Sequence, residues 1–315
     1  MTEQLSINRS KQMSKQKRLY RKRLGLIKAV LAWIIVLIAG KMLIEETSRV
    51  FNRNQQFFKE ADKGADNLQD ASPIEIASSS NFPDLIKELI TLKESHSALS
   101  QKVDRIIANE ETYPEKILQL LIRNPETIDF VLDYPSRVGS EVLEDVYLAE
   151  DITPGEIPLF LQWDKRWGYA SYGDGIIGLD ACGPTSLAMV AVGLTGNTSY
   201  SPMYVAKFSE EAGYFITGSG TSWALMKQGA SHFGLSSQEI TLNKSMMIKH
   251  LDQGRPIIAS MSPGDFTSSG HFIVIHDYNE EGFYVHDSNS IARSHTIWSY
   301  AVLSGQIKNM WAFSV

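Results

Sequence analysis

The stretch "GHFIVIHDYNEEGFYVHDSN", residues 270–289, leaves its backbone few options. Apolar and polar residues flank a polar turn at Asn279–Gly282 in the pattern of two antiparallel strands. His271 opens the first strand and Asp287 closes the second, with the turn midway. A hairpin sets such residues side by side within a residue or two of register. A carboxylate in that place fixes an imidazole's tautomer and stabilises its charge. Gly270 leaves room around the ring. His276 and His286 can also face each other across the hairpin. With no further ligand at metal-binding spacing, packing on aromatic neighbours is the simpler reading for both, and no metal or cofactor is expected.

An imidazole poised by a carboxylate raises the question of a nucleophile. Cys182 is the single cysteine among 315 residues. It excludes an intramolecular disulfide and a Cys-rich zinc site. It opens the apolar run "CGPTSLAMV", which predicts a helix from about Cys182 to Leu194. Cysteine is commonly a small buried hydrophobe. A helix N-terminus with a histidine nearby also favours a thiolate, so position alone leaves packing and chemistry both open. Gly183 would let a substrate approach the backbone. Upstream, Gln162 in "LFLQWDKRWGYASYG" carries an amide that can donate to a developing oxyanion. Trp163, Trp167 and Tyr169 around it read as packing.

The N-terminal half has a different texture. Residues 1–28 carry nine Lys/Arg against Glu3, so a chain of net charge −6 keeps −14 for the remainder. An acidic body repels phosphate and argues against nucleic acid as the main partner. The basic tail, residues 1–23, meets "LGLIKAVLAWIIVLIAGKMLI", residues 24–44, about the length that spans a bilayer. Lys28 and Lys41 would snorkel toward the headgroups. A single membrane anchor is favoured over a cleaved signal peptide, for which only Leu37-Ile38-Ala39 offers a poor cleavage site, and over a buried or interfacial helix. The positive-inside rule then keeps residues 1–23 in the cytoplasm and the rest outside the cell.

A polar linker, residues 45–84, precedes a helical spacer, residues 85–150. Leu85, Leu89, Leu92, His96, Leu99, Val103 and Ile106 form one heptad-like stripe. It reads first as an amphipathic helix packing on its own domain and second as a self-associating stalk over residues 85–106. His96 reads as a tolerated or partly exposed position. Two helices should follow, in "YPEKILQLLIRN" and "NPETIDFVLDYP", each with a Pro-Glu pair at its start and Asn124 capping the second. An acidic, hinge-like stretch, residues 139–155, leads to the last domain, residues 151–315. There a helix is expected from Thr221 to about His232, and strands at Ile257–Met261, His271–Tyr278, Gly282–His286 and Asn309–Phe313. Helices first and strands later is an α+β pattern.

The order Gln162, Cys182, His271, Asp287 resembles the papain-like cysteine peptidase fold, a helix bearing Cys and an antiparallel sheet bearing His and Asp. More specifically, "IPLFLQWDKRWGYASYG", "CGPTSLAMV", "TGSGTSWALMKQGASHFGL", "GRPIIASM", "SSGHFIVIHDY" and "VHDSNS" resemble the bacterial double-glycine leader peptidases and their relatives. They cover residues 157–313. The helical lead-in is similar to membrane-anchored members from Gram-positive bacteria. The resemblance implies Cys182 as nucleophile, His271 as general base and then acid, Asp287 as its orienter, and Gln162 with the Cys182 backbone N–H as the oxyanion hole.

Two positions depart from that pattern. Ala181 stands where Gly is common and would tighten the site; Ser288 stands where Pro is common and would alter the turn. Gly218-Ser219-Gly220 lacks the Lys-Ser/Thr of a phosphate loop and reads as a turn that could line the cleft. With no such loop and one apolar span, the leader-peptide substrate of transporter-linked members does not carry over. The expectation is a membrane-anchored, extracytoplasmic cysteine peptidase or amidase acting on a peptide, protein or cell-wall peptide. An acyl transferase, a non-catalytic binding module on the same fold and a thiol redox protein are the alternatives; the last lacks a resolving cysteine.

Overall fold

Residues 183–192 are buried without exception, because the run after Cys182 is apolar on every face of a helix. The computed structural model describes residues 82–139, 146 and 148–315. The expected basic tail, membrane span and most of the linker, with residues 140–145 and 147 of the acidic hinge, lie outside the described residues. Among the described residues no helix is long and apolar enough to cross a membrane.

Helices α1 (Pro83–Ser95), α2 (Ser100–Ile107), α3 (Glu115–Arg123) and α4 (Ile128–Arg137) come first. A short turn of helix, α5 (Ile177–Asp180), leads into α6 (Cys182–Thr195). Gly196 ends α6 in the left-handed conformation, at φ 69°, with its N–H on the Val192 carbonyl. Then come α7 (Pro202–Glu211) and α8 (Lys244–Leu251). One antiparallel sheet holds β1 (Ser236–Glu239), β2 (Ile257–Met261), β3 (His271–Tyr278), β4 (Phe283–Asp287), β5 (Ile297–Trp298) and β6 (Ile307–Ser314). Its order is β1-β6-β2-β3-β4-β5.

Helix α6 covers one face of this sheet, where Leu187 and Val190 share a core with Phe272, Val274, Trp311 and Phe313. On the other face Ile273, Ile275 and Phe283 pack with Met247 of α8. Strand β3 is therefore covered on both sides, which is why "HFIVI" is an apolar run. The expected strands appear within two residues of their bounds. The expected 221–232 helix is instead a short helix, Ala224–Lys227, followed by a 3-10 turn, Gly229–Phe233. Gly229 opens that turn, and a side chain there would strike Leu225.

The heptad stripe is not one helix. It breaks at exposed His96, whose Nδ1 lies 3.2 Å from the Leu92 carbonyl. Leu89, Leu92, Val103 and Ile106 are buried in one core with α3 and α4, so the seam a stalk would need is occupied from within. Nor is this bundle a detached spacer. Its core includes Tyr169 and Ile176 of the sheet-bearing domain. Phe130 stacks on Tyr169 at 4.3 Å and 8°, and the Tyr169 hydroxyl donates to the Phe130 carbonyl at 3.0 Å. The ring also lies where Gly178 has no side chain; a Cβ there would sit 2.6 Å from the Phe130 ring.

Phe130→Ala should thus cost about 3–5 kcal/mol of stability, read as a lower urea midpoint. A loss below about 1 kcal/mol, the size of an exposed substitution, would show that the bundle does not depend on this contact.

Candidate active site

Antiparallel pairing of β3 and β4 sets Asp287 opposite Ile273, two residues from His271 on the same face of the sheet. A register shift between Ile275 and Asp277 makes this offset, which simple counting through the turn leaves open. His271 Nε2 lies 2.7 Å from Asp287 Oδ1. Asp287 is fully buried. Its Oδ1 also accepts the Asn289 backbone N–H at 2.8 Å, and its Oδ2 accepts Arg293 Nε at 2.5 Å.

With Nε2 committed to the carboxylate, Nδ1 is the ring nitrogen left for Cys182. Burial pushes the His271 pKa down, but the charge and hydrogen bond of Asp287 outweigh it. Cys182 adds to the rise, and the net effect is a raised pKa. Burial alone would raise the Asp287 pKa; His271 and then Arg293 hold it below the ordinary carboxylate value. Cys182 is half-buried at the start of α6.

The amide of Gln162 is engaged. Its Nε2 donates to the Gly178 carbonyl at 2.9 Å and to Leu179 at 3.3 Å, and its Oε1 accepts Ser288 Oγ at 3.1 Å. Gln162 thus braces the turn that delivers Cys182, and its donor does not stand free for an oxyanion. Gly183 departs from expectation too. Its Cα faces the Thr221 side chain, 2.8 Å from where a Cβ would sit, so Thr221 and not a substrate fills that space. Ala181 is buried in the core. Ser288 does more than shape a turn: besides its hydroxyl bond, its carbonyl accepts the Gln162 N–H at 2.7 Å.

His276 and His286 do pair, with ring centroids 4.0 Å apart. His286 Nδ1 lies 3.2 Å from the Pro158 carbonyl. Burial, then the charge of His276, pulls His286 down to about 3. Burial lowers His276 as well. Both rings are therefore neutral packing groups at physiological pH.

Several site residues were not singled out by the sequence reading. A short helix, α9 (Ile291–Ser294), carries Arg293 to Asp287. Glu126 accepts the N–H groups of Ile291 at 2.7 Å and Ala292 at 2.9 Å, and so caps α9 from the bundle. Asn124 caps its own segment through Glu126 N–H, as expected, and its Nδ2 also bonds the Asn289 carbonyl. Trp163 Nε1 donates to the same carbonyl at 3.1 Å. An arginine six residues past the key aspartate was the one local hint of this network.

A cleft of about 790 Å³ is lined by Cys182, His271, Gln162, Arg293 and residues of α3. A second cleft meets it at Cys182 and His271 and is lined by Gly218, Ser219, Gly220, Thr221 and Trp223. The Gly-Ser-Gly turn does line the cleft. Substrate space thus runs past the thiol on both sides.

The fold is that of the C39-like peptidases. The model of the Peptidase_C39-like family matches residues 155–313, just over half the chain, and the chain belongs to that family. No curated protein matches it. One similar solved structure, described as a C39-like peptidase from Bacillus anthracis, is 15% identical, with a TM-score of 0.31 over 51% of this chain and 96% of that one.

A raised His271 pKa contributes stability that is fully present below about 6.5 and is lost as pH rises through the folded-state value. The imidazolium resonance of His271 should therefore titrate well above 6.5 by nitrogen NMR, and Asp287→Asn should lower its midpoint by about 1–3 units. Equal midpoints in the two proteins would remove Asp287 as the cause.

Proposed function

We propose that the protein is a membrane-anchored, extracytoplasmic cysteine peptidase or amide hydrolase. The observation that carries this reading is the shared cleft, in which Cys182 and His271 face the same space while Asp287 holds the imidazole from below. The Cys182 thiolate attacks an amide carbonyl and forms a carbon–sulfur bond. The oxyanion so created meets the Cys182 backbone N–H, which as a first-turn helix donor has no partner four residues back. Gln162 joins it by giving up its longer bond, to Leu179. The tetrahedral adduct breaks its carbon–nitrogen bond as His271 Nδ1–H protonates the leaving amine. Water, deprotonated by His271, then attacks the thioester and returns the free thiol and a carboxylic acid. An amine in place of water would turn the same chemistry into acyl transfer.

Anchoring rests on the apolar segment 24–44 behind its basic tail, which favours an N-in orientation. A non-catalytic binding module is the rival reading, and the complete Cys182, His271, Asp287 set favours the enzyme.

Peptides released from cells carrying wild-type protein but not Cys182→Ala should identify the substrate. Turnover of such a peptide should fall at least about 10³-fold in Cys182→Ala and His271→Ala. Gln162→Ala should lower kcat by about 10²–10³-fold with little change in KM. Undiminished phenotypes in Cys182→Ala and His271→Ala would leave the binding module.

A further inference from the structure

The cleft wall built by α3 is basic, although the body of the chain is acidic. Lys116 and Arg123 line the 790 Å³ cleft from α3, and Arg293 lines it from α9. Lys116 and Arg123 form no ion pair among the described residues, whereas Lys93 and Lys102 on α1 and α2, and Lys165 in a turn, are each paired with an aspartate. Arg293 is anchored through Nε on Asp287, and its two terminal nitrogens have no partner among the described residues. Its side chain is about a quarter exposed (23%). A guanidinium fixed at one nitrogen, with two parallel donors toward a cleft, is preorganised for bidentate capture of a carboxylate.

The same cleft holds two carboxylates, Asp180 and Asp265, fewer than its three cations. Asp265 is taken by Gln306 Nε2 at 2.6 Å. Burial raises the pKa of Asp180, and the charge of Lys116 only partly opposes that.

We propose that Arg293, with Arg123 and Lys116 across the cleft, forms a subsite for a carboxylate on the substrate, so that the enzyme selects acidic peptides. The bundle then supplies specificity to Cys182 on α6 and His271 on the sheet. This inference rests on reading the cleft as the substrate site; it names the class of substrate.

The test uses full-length protein in detergent and internally quenched octapeptides carrying Glu, Gln or Lys at each position in turn. At one position Glu should give a kcat/KM at least about tenfold above Gln. In the Lys116→Glu, Arg123→Glu double variant that ratio should collapse or favour Lys. In Lys249→Glu, an exposed charge reversal on α8, it should stay as in wild type. A wild-type Glu/Gln ratio within twofold at every position, or one that survives the double variant, overturns the subsite. If wild type cleaves none of these peptides, the same series, fluorescently labelled, is titrated into Cys182→Ala and read by anisotropy. Tighter binding of a Glu peptide, lost in the added double variant, upholds the subsite while the peptidase reading falls. Equal or no binding overturns it.

Discussion

A carboxylate with no solvent exposure is costly to hold, by several kcal/mol for an unpaired ion, and the Asp287 carboxylate is such a group. It is tolerated because every side is answered: His271 and the Asn289 N–H on one oxygen, Arg293 on the other. The rest of the site depends on that arrangement. The hairpin register places the carboxylate, and α9 brings the arginine. Glu126 caps α9, and the bundle that carries Glu126 is locked down by Phe130 on Tyr169. A charge buried in the sheet is thus tied to a helix 160 residues earlier in the chain.

The same chain of contacts gives the helical bundle a part in the chemistry. Its α3 faces the cleft beside Cys182 and is one wall of it. What reads in the sequence as a spacer packs as part of the sheet-bearing body. The thiol sits where the two parts meet, at the half-buried start of a helix whose next ten residues are core.

Local patterning carried the hairpin, the Cys182 helix and the pairing of His271 with Asp287, because alternation and an all-apolar helix are written within a dozen residues. The heptad stripe was ambiguous in principle: one long helix and two helices folded at His96 present the same periodicity to a reader of spacing. The roles of Ser288, Arg293 and Glu126 were not legible. Their partners are set by tertiary packing, and Glu126 lies 165 residues from Ile291. Gln162 was found by its position before the cysteine, but the direction of its amide depends on where the carbonyls of Gly178 and Leu179 fall.

The central claim is that the Asp287–His271 pair activates Cys182. Since Cys182 is the sole cysteine, intact-mass kinetics of iodoacetamide alkylation on native full-length protein at neutral pH report on this thiol alone. The account predicts that His271→Ala slows alkylation at least about tenfold, with Asp287→Asn between that variant and wild type. Indistinguishable rates in all three proteins would contradict it.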